Sequence, residues 1–244
     1  MRKLDRTAFG HPADWRDKVR KALPDLDAFV LEAASFEKLA LDEEARKAGF
    51  KKFAPAVLTG RDPDFPTIWG HCKESLRAMS LRKCSYCEYT IPQKRLGHVD
   101  HFCPKTYFPS LAYEWTNYFY SCGGCNGAKS SKWKNYIRPD SDDVEAMLIF
   151  HENGTVTGVD ARAQATIDDF ELNEEGLVEV RKEAVQFVAR LIDGAIRLYK
   201  RNPATGTARA RKLWIKVSDP RVSFSVAMGQ VVSRRWSASV GTAL

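Results

Sequence analysis

Apolar residues recur at helical spacing through the first part of the chain. Such spacing places them on one face of a helix, where they pack against a core. We therefore predict that residues 1 to about 50 are helical and serve packing. The two stripes consist of Trp15, Val19 and Leu23, which precede Pro24, and of Leu26, Phe29, Val30, Ala33, Phe36 and Leu39.

Turn-forming residues then interrupt this pattern. Residues 60–66 read Gly-Arg-Asp-Pro-Asp-Phe-Pro and predict a linker or surface loop. Residues 67–82 predict a short helix that leads into a segment with a different pattern.

The C-terminal part predicts a hairpin and further helices. Residues 148–157 predict a β-hairpin with a type I′ turn at Asn153-Gly154, since both residues tolerate positive φ. His151 lies on one arm of this hairpin, and we interpret it as a surface or structural residue. Residues 213–215 and 224–236 predict short helices, the second with an exposed charge pair at Arg234-Arg235.

Residues 174–200 predict a long helix that ends at Asn202-Pro203, because proline cannot continue a helix. Its predicted buried face consists of Leu177, Val180, Ala184, Phe187, Val188, Leu191, Ala195 and Leu198.

Composition adds little to the fold but restricts location and partners. No apolar run approaches the ~20 residues that a membrane span requires. The basic start Met1-Arg2-Lys3 has no apolar stretch behind it, so we predict no secretory signal and a cytoplasmic, reducing location. The net charge of +7 suits a polyanionic partner such as nucleic acid, although many basic proteins bind none.

Four of the six cysteines form two Cys-x-x-Cys pairs that are separated by 34 residues. Two such turns can direct four thiolates at one ion, and four thiolates leave no open position on it. The pattern therefore predicts a structural zinc site, against the alternatives of four buried thiols or a redox pair. The ligands are Cys84, Cys87, Cys122 and Cys125, and the pattern assigns no role to Cys72 and Cys103.

The segment between the cysteine pairs carries candidate catalytic residues. Asp100 and Asn126 offer hard oxygen ligands, which suit Mg²⁺ or Mn²⁺. His101 can act as a general base that activates water for attack on phosphorus. A zinc ion would pin the two ends of this segment together and fix the direction of Asn126, which follows the last cysteine.

The order Cys-x-x-Cys, Asp-His, Asn, Cys-x-x-Cys-Asn-x-x-Lys resembles the HNH nucleases, which have a ββα-metal core. The resemblance implies that Asp100 and Asn126 bind a catalytic divalent ion and that His101 is the general base. Asn117 matches the middle Asn, which braces the hairpin loop. His98 lies two residues before Asp100 on the same strand face, as a candidate further ligand or phosphate contact.

Within that family, His-Val-Asp-His-Phe-x-Pro-Lys with Trp-x-Asn and Ser-Cys-x-x-Cys-Asn is similar to the HNH subunit of Septu anti-phage systems and to retron-associated nucleases. The strong match covers about 50 residues. Asp100, Cys103 and the pair Tyr118-Phe119 depart from the usual pattern but remove no catalytic group. The resemblance implies an ATPase partner and a chain that is inactive alone.

Basic residues near this segment are candidate phosphate contacts, with solvated surface charge as the alternative. They are Lys105, Lys129, Lys132 and Lys134, with Trp133 available for stacking on a base.

We therefore expect a mainly helical α+β chain with a central zinc-stapled ββα-metal (HNH) core at residues 76–140, between helical segments at 1–75 and 141–244. The expected activity is metal-dependent hydrolysis of nucleic-acid phosphodiester bonds, with DNA as the substrate. The alternatives are an RNA-cleaving nuclease, with tRNA as its substrate, and a non-catalytic zinc-ribbon module that binds nucleic acid or protein.

Overall fold

The computed structural model describes residues 1–7, 9–22, 33 and 67–244. The predicted loop at 60–66 and the apolar stripe from Leu26 to Leu39 lie outside these ranges, except for Ala33, which is buried. Helix α1 spans Trp15–Ala22 and buries Trp15 and Val19, as their spacing predicts.

The described residues before α1 are not helical, so the prediction of helix from residue 1 is wrong. They form a non-helical strap that contacts residues from the middle of the chain. The backbone N–H of Leu4 donates to the carbonyl of Pro139 at 2.7 Å, and Arg6 Nη2 donates to the carbonyl of Tyr118 at 2.8 Å. Contacts to distant residues therefore override local helical preference here.

The predicted helix at 67–82 is confirmed as a 3₁₀ turn at Ile68–Cys72 followed by helix α2 at Lys73–Met79. Strands β1 (Gly97–His101) and β2 (Tyr118–Cys122) then pair antiparallel, with Asp100 opposite Phe119. Helix α3 (Gly123–Lys129) follows β2 without a break. The aromatic residues at the start of β2 are buried, which fits a strand covered on both faces.

Helix α4 (Val144–Met147) precedes strands β3 (Leu148–Phe150) and β4 (Val156–Gly158), so the predicted hairpin is confirmed. Its turn is not type I′, because only Gly154 has positive φ, at +86°. His151 and Thr155 close a three-residue loop through a 2.9 Å hydrogen bond between the His151 N–H and the Thr155 carbonyl. A type I turn followed by a left-handed glycine gives this loop.

Four helices complete the chain, and polar side chains cap three of their N-termini. Side-chain oxygens of Asp160, Glu174 and Asn202 accept hydrogen bonds from the first-turn N–H groups that lack helical partners. Asn202 and Pro203 end the long helix, as the sequence predicts. They also begin the next helix, which the sequence pattern does not predict. The helices are α5 (Ala161–Asp169), α6 (Glu175–Arg201), α7 (Pro203–Val217) and α8 (Ser225–Val240).

The long helix α6 is confirmed, and its predicted buried face is correct in part, since Val188 and Ala195 are buried. Val180 and Phe187 are 42% and 55% exposed. The face that packs inward consists of Arg181, Val185, Val188, Ala189, Ile192, Ala195 and Ile196. Because α6 carries apolar residues on two adjacent faces, periodicity alone does not decide between them.

Helices α7 and α8 are longer than the predicted short helices, and the charge pair on α8 is only partly exposed. Arg235 is half-buried and forms ion pairs with Glu152 at 2.6 Å and Asp193 at 2.7 Å. Arg234 is exposed, as predicted, and donates to the carbonyl of Phe150. Both side chains thus fasten α8 to neighbouring elements.

The helical C-terminal part and the central strands share one hydrophobic core, so the fold is α+β as predicted. A buried polar network joins them. Lys83 Nζ donates to Glu88 Oε1, and the hydroxyl of Ser225 at the start of α8 donates to the same oxygen, both at 2.9 Å. Among the described residues, no helix is long and apolar enough to cross a membrane.

Candidate functional site

The four cysteines of the two Cys-x-x-Cys pairs meet at one point. The Sγ atoms of Cys84, Cys87, Cys122 and Cys125 all lie within 4.8 Å of one another. None of the four forms a disulfide. Three are buried and Cys122 is half-buried.

Local structure explains why these sulfurs converge. Cys122 ends β2 and caps helix α3, where its Sγ accepts a hydrogen bond from the N–H of Cys125 at 3.5 Å. The loop carrying Cys84 and Cys87 is fastened to β2, because the N–H of Ser85 donates to the carbonyl of Tyr120 at 2.8 Å. The first pair is thereby placed beside the second.

The geometry of the cluster fits zinc. A tetrahedral ion with Zn–S bonds of about 2.3 Å separates its sulfurs by about 3.8 Å, and Cys87 Sγ and Cys122 Sγ are 3.9 Å apart. Hydrogen bonds among the four thiols lower the pKa of Cys122 and raise the pKa values of Cys87 and Cys125. Cys72 and Cys103 are buried outside the cluster, and burial raises the pKa of Cys72 to about 12.

Asp100 lies on β1 with only 4% of its surface exposed. Its Oδ2 accepts a 2.5 Å hydrogen bond from the hydroxyl of Tyr86, and its Oδ1 accepts one from Lys129 Nζ at 3.0 Å. Burial raises the pKa of Asp100, while the Lys129 ammonium and the Tyr86 hydroxyl oppose this effect. Each oxygen still has a second lone pair, which a metal ion can use.

His101 follows Asp100 on β1 and points to the other side of the strand. Its Nε2 lies 2.9 Å from the carbonyl oxygen of Ala112. Since a carbonyl only accepts, Nε2 carries the proton and Nδ1 keeps its lone pair in the neutral ring. Burial lowers the pKa of His101 to about 4, so the ring is neutral at pH 7.

Two aromatic rings hold the imidazole of His101 in place. The rings of Trp69 and Tyr118 contact it edge-on, with centroid distances of 4.8 Å and 5.0 Å. The Tyr118 hydroxyl also donates to the Ala112 carbonyl at 2.5 Å. The same carbonyl is thus shared by the imidazole and the ring that packs on it.

Asn117 is buried and braces the long loop between β1 and β2. Its Oδ1 accepts from the N–H of Cys103 at 2.8 Å. Its Nδ2 donates to the carbonyls of Cys103 and Leu111, each at 3.0 Å. These contacts lie within the loop that carries Ala112, the partner of His101.

Helix α3 runs beside β1 and carries Asn126. His98 is exposed, and a Cβ built on Gly123 at the start of α3 would lie 3.6 Å from His98 Nε2. Lys129 at the end of α3 reaches Asp100, and Asn126 precedes Lys129 by three residues on the same helix side. The half-buried Asn126 therefore belongs to the helix side that faces β1.

The prediction that Lys129 contacts substrate phosphate is wrong for this structure. The side chain is fully buried. Its Nζ donates to the carbonyl of His101 at 2.6 Å and to Asp100. A buried ammonium requires such acceptors. The Lys129 ammonium therefore binds groups inside the site and does not reach the surface.

The other basic candidates lie nearer the surface, and each contacts another side chain of the protein. Lys105 is half-buried, with its Nζ 5.0 Å above the centroid of the Trp69 ring. Lys132 and Lys134 approach Asp169 at 3.9 Å and 2.8 Å. Trp133 is half-buried and forms edge-to-face contacts with the rings of Phe108 and Phe102.

Sequence reasoning missed Tyr86 and Trp69. Tyr86 lies between Cys84 and Cys87, and this position inside a metal knuckle is a usable signal for a residue that reaches the site. Trp69 contacts His101 from a segment that precedes the central strands, and its sequence position gives no such signal.

The chain is similar in sequence to a known protein. The chain is 31% identical over 156 residues to the Septu protein PtuB of Bacillus thuringiensis, which covers 59% of this chain and 60% of that protein. The chain thus spans about three fifths of the length of the relative it matches. No protein-family model matches it. The similarity supports a distant relationship with Septu proteins. This result agrees with one part of the prediction from the sequence motifs, the resemblance to Septu systems.

Proposed function

We propose that this protein is a metal-dependent endonuclease of the HNH type that hydrolyses phosphodiester bonds, with DNA as its substrate. The observation that carries the proposal is the state of His101. Its ring is neutral, its Nε2 is held by the Ala112 carbonyl and its Nδ1 is available as a base. An anchored neutral imidazole beside a carboxylate is suited to general-base catalysis.

In the proposed reaction, His101 Nδ1 takes a proton from a water molecule as that water attacks phosphorus. The Ala112 carbonyl then stabilises the imidazolium, because Nε2–H donates more strongly from a charged ring. Trp69 and Tyr118 restrict ring rotation, which keeps Nδ1 directed at one position.

Asp100 and Asn126 would hold the divalent ion, since carboxylate and amide oxygens suit Mg²⁺ or Mn²⁺. When bound, that ion supplies charge stabilisation at the scissile phosphate and the leaving oxygen. Lys129 and Tyr86 keep the Asp100 carboxylate in one orientation. The four cysteines would hold zinc and frame the site.

We further propose a role in anti-phage defence, together with an ATPase partner, on the basis of the similarity to the Septu protein PtuB and of the motif resemblance. The chain would then be silent alone. The test compares DNA and RNA cleavage by the chain with and without the product of the neighbouring gene. Cleavage of RNA alone would favour the tRNA-cleaving alternative.

His101→Ala is expected to lower cleavage at least about a hundredfold, because general bases contribute about 10² to 10⁴ to rate. Zinc content should stay close to wild type, since His101 is not one of the four cysteine ligands. A moderate loss of thermal stability is expected, because the imidazole packs between Trp69 and Tyr118. The matched control is His151→Ala, whose Nε2 bonds Thr157 on the β3–β4 hairpin. Normal cutting by the His101 variant would contradict the assigned base.

A second candidate function is a non-catalytic zinc module that binds nucleic acid or protein. It is favoured by one observation, that both Asp100 oxygens already accept hydrogen bonds within the protein. Plasmid cleavage that requires a divalent ion and is blocked by EDTA would reject this reading. Binding without cleavage, in the presence of the partner, would support it.

A further inference from the structure

The positive charge of this protein is concentrated in one helical hairpin. Residues 186–217, which cover the second half of α6 and all of α7, contain eight Lys or Arg and a single acidic residue, Asp193. Their net charge of +7 equals that of the whole chain, so the remaining residues together are neutral.

All eight basic side chains of the hairpin are exposed. Within the described part of the chain, none of them forms an ion pair or a side-chain hydrogen bond, and Asp193 is paired with Arg235 of α8 instead. Ion pairs among the described residues therefore do not neutralise the charge of the hairpin. The residues are Arg190, Arg197, Lys200, Arg201, Arg209, Arg211, Lys212 and Lys216.

Helical spacing arranges most of these charges in two rows. Arg190, Arg197 and Arg201 share the side of α6 opposite its buried face, and they extend over about 16 Å at 1.5 Å per residue. Arg209, Lys212 and Lys216 share one side of α7 over about 10 Å. Rows of this length match an extended polyanion better than a single small anion.

The two helices are held as one rigid unit. A Cβ built on Gly206 of α7 would lie 2.3 Å from the Cα of Tyr199 of α6, so the backbones are in close contact.

The residues beside these charges include the polar or small Gln186, Gly194 and Thr205. The hairpin also exposes apolar side chains, with Phe187 beside the α6 row and Trp214 and Ile215 on the sides of α7 away from its row. The rows themselves are dominated by charge, whereas protein partners usually bury apolar or aromatic anchors.

We propose that the α6–α7 hairpin is a non-catalytic DNA-binding surface that contacts the phosphate backbone of a duplex without reading its sequence. The choice of DNA as the polyanion rests on the proposed function. Arginine supplies five of the eight charges, and its planar guanidinium pairs well with phosphate oxygens. The surface would raise the affinity for long substrates without touching the scissile bond.

The test measures binding of a fluorescent duplex of about 30 base pairs to the full chain by anisotropy over a range of NaCl concentrations. All proteins carry His101→Ala, so that no DNA is cut. Two triple variants remove the rows: Arg190→Gln, Arg197→Gln and Arg201→Gln in α6, and Arg209→Gln, Lys212→Gln and Lys216→Gln in α7.

The matched control removes the same charge from side chains that already have partners. Lys18, Lys182 and Arg221 are each paired with a carboxylate within four residues of themselves, and all three are changed to Gln. We expect each row variant to lose tenfold or more in affinity at about 0.1 M salt, and to flatten the slope of log K against log salt by about three units. The control should bind like its parent.

Row variants that bind DNA as tightly as the control would overturn the proposal, as would a parent chain without salt-dependent binding. Row variants that keep DNA binding but lose binding to poly-L-glutamate would assign the surface to an acidic protein. Failure of the nuclease proposal gives a different result: the hairpin binds DNA, yet the chain with an intact His101 does not cut it even when the product of the neighbouring gene is present.

Discussion

At the scale of single residues, Lys129 is the clearest departure from expectation. A lysine at the end of a short helix ordinarily lies in solvent, yet here its ammonium is buried against Asp100 and the His101 carbonyl. The side chain links α3 to β1 at the point where the candidate catalytic residues begin. Lys129 and Asp100 can both be buried because each compensates the charge of the other. Either charge alone would be costly to bury.

Lys129→Met is expected to lower the free energy of unfolding by about 3 to 5 kcal/mol, since it leaves Asp100 buried without its cation. Urea unfolding followed by circular dichroism measures this change. Addition of Mn²⁺ should recover part of the loss in the variant, because a divalent ion can replace the missing charge. Lys132→Met, at a side chain that is 46% exposed, is the control and should stay near wild type.

The sequence predicts the residues of the candidate site better than their surroundings. Cysteine spacing predicts the cluster that the structure forms, since paired cysteines have few other uses at such spacing. The roles of Asp100 and His101 stay a prediction. The burial of Lys129 depends on the approach of α3 to β1, and that distance is set by packing. No local pattern around Lys129 encodes it.

At the scale of elements, α6 shows why the direction of a helix face is harder to predict than its length. Caps and the Asn202-Pro203 step define its ends from local chemistry. The buried face instead includes Arg181, which donates to the carbonyls of Gly154 and Leu172 at 2.7 Å and 2.9 Å. A periodicity analysis counts arginine as a polar residue and places it on the exposed face. The burial of Arg181 depends instead on these two carbonyl acceptors.

Gly206→Ala is expected to destabilise the protein by about 1 to 3 kcal/mol, because the added methyl group would overlap the backbone of Tyr199. Gly194→Ala provides the opposite case. Its nearest neighbour is the Arg197 guanidinium at 3.8 Å, and alanine should stabilise α6 by about 0.5 to 1 kcal/mol. Thermal unfolding of the two variants should shift in opposite directions, and equal shifts would contradict the close packing of α6 on α7.

At the scale of the whole molecule, the cysteine cluster lies where three parts of the chain meet. The loop with Cys84 and Cys87 bonds to β2 through Ser85 and to α8 through Glu88. The N-terminal strap bonds to β2 through Arg6. Loss of the cluster should therefore also weaken the contacts that the cysteine loop forms with β2 and α8.

We expect about one zinc per purified chain, and Cys84→Ala should lose it with a stability cost on the order of 5 kcal/mol. Hydrogen exchange should then show faster exchange at the Ser85 amide, which bonds the carbonyl of Tyr120. Cys72→Ala, at a buried cysteine outside the cluster, should retain the metal. A Cys84 variant that keeps its protection would show that the fold does not need the ion.

The position of Tyr86 gives the cluster a role in the timing of assembly. The residue lies between two of the sulfurs and its hydroxyl bonds the Asp100 carboxylate. A newly made chain therefore cannot complete the environment of that carboxylate until its knuckle has closed. Under the proposed function, maturation of the candidate centre would then depend on metal supply, and an immature chain would not cut the nucleic acid of the cell that makes it.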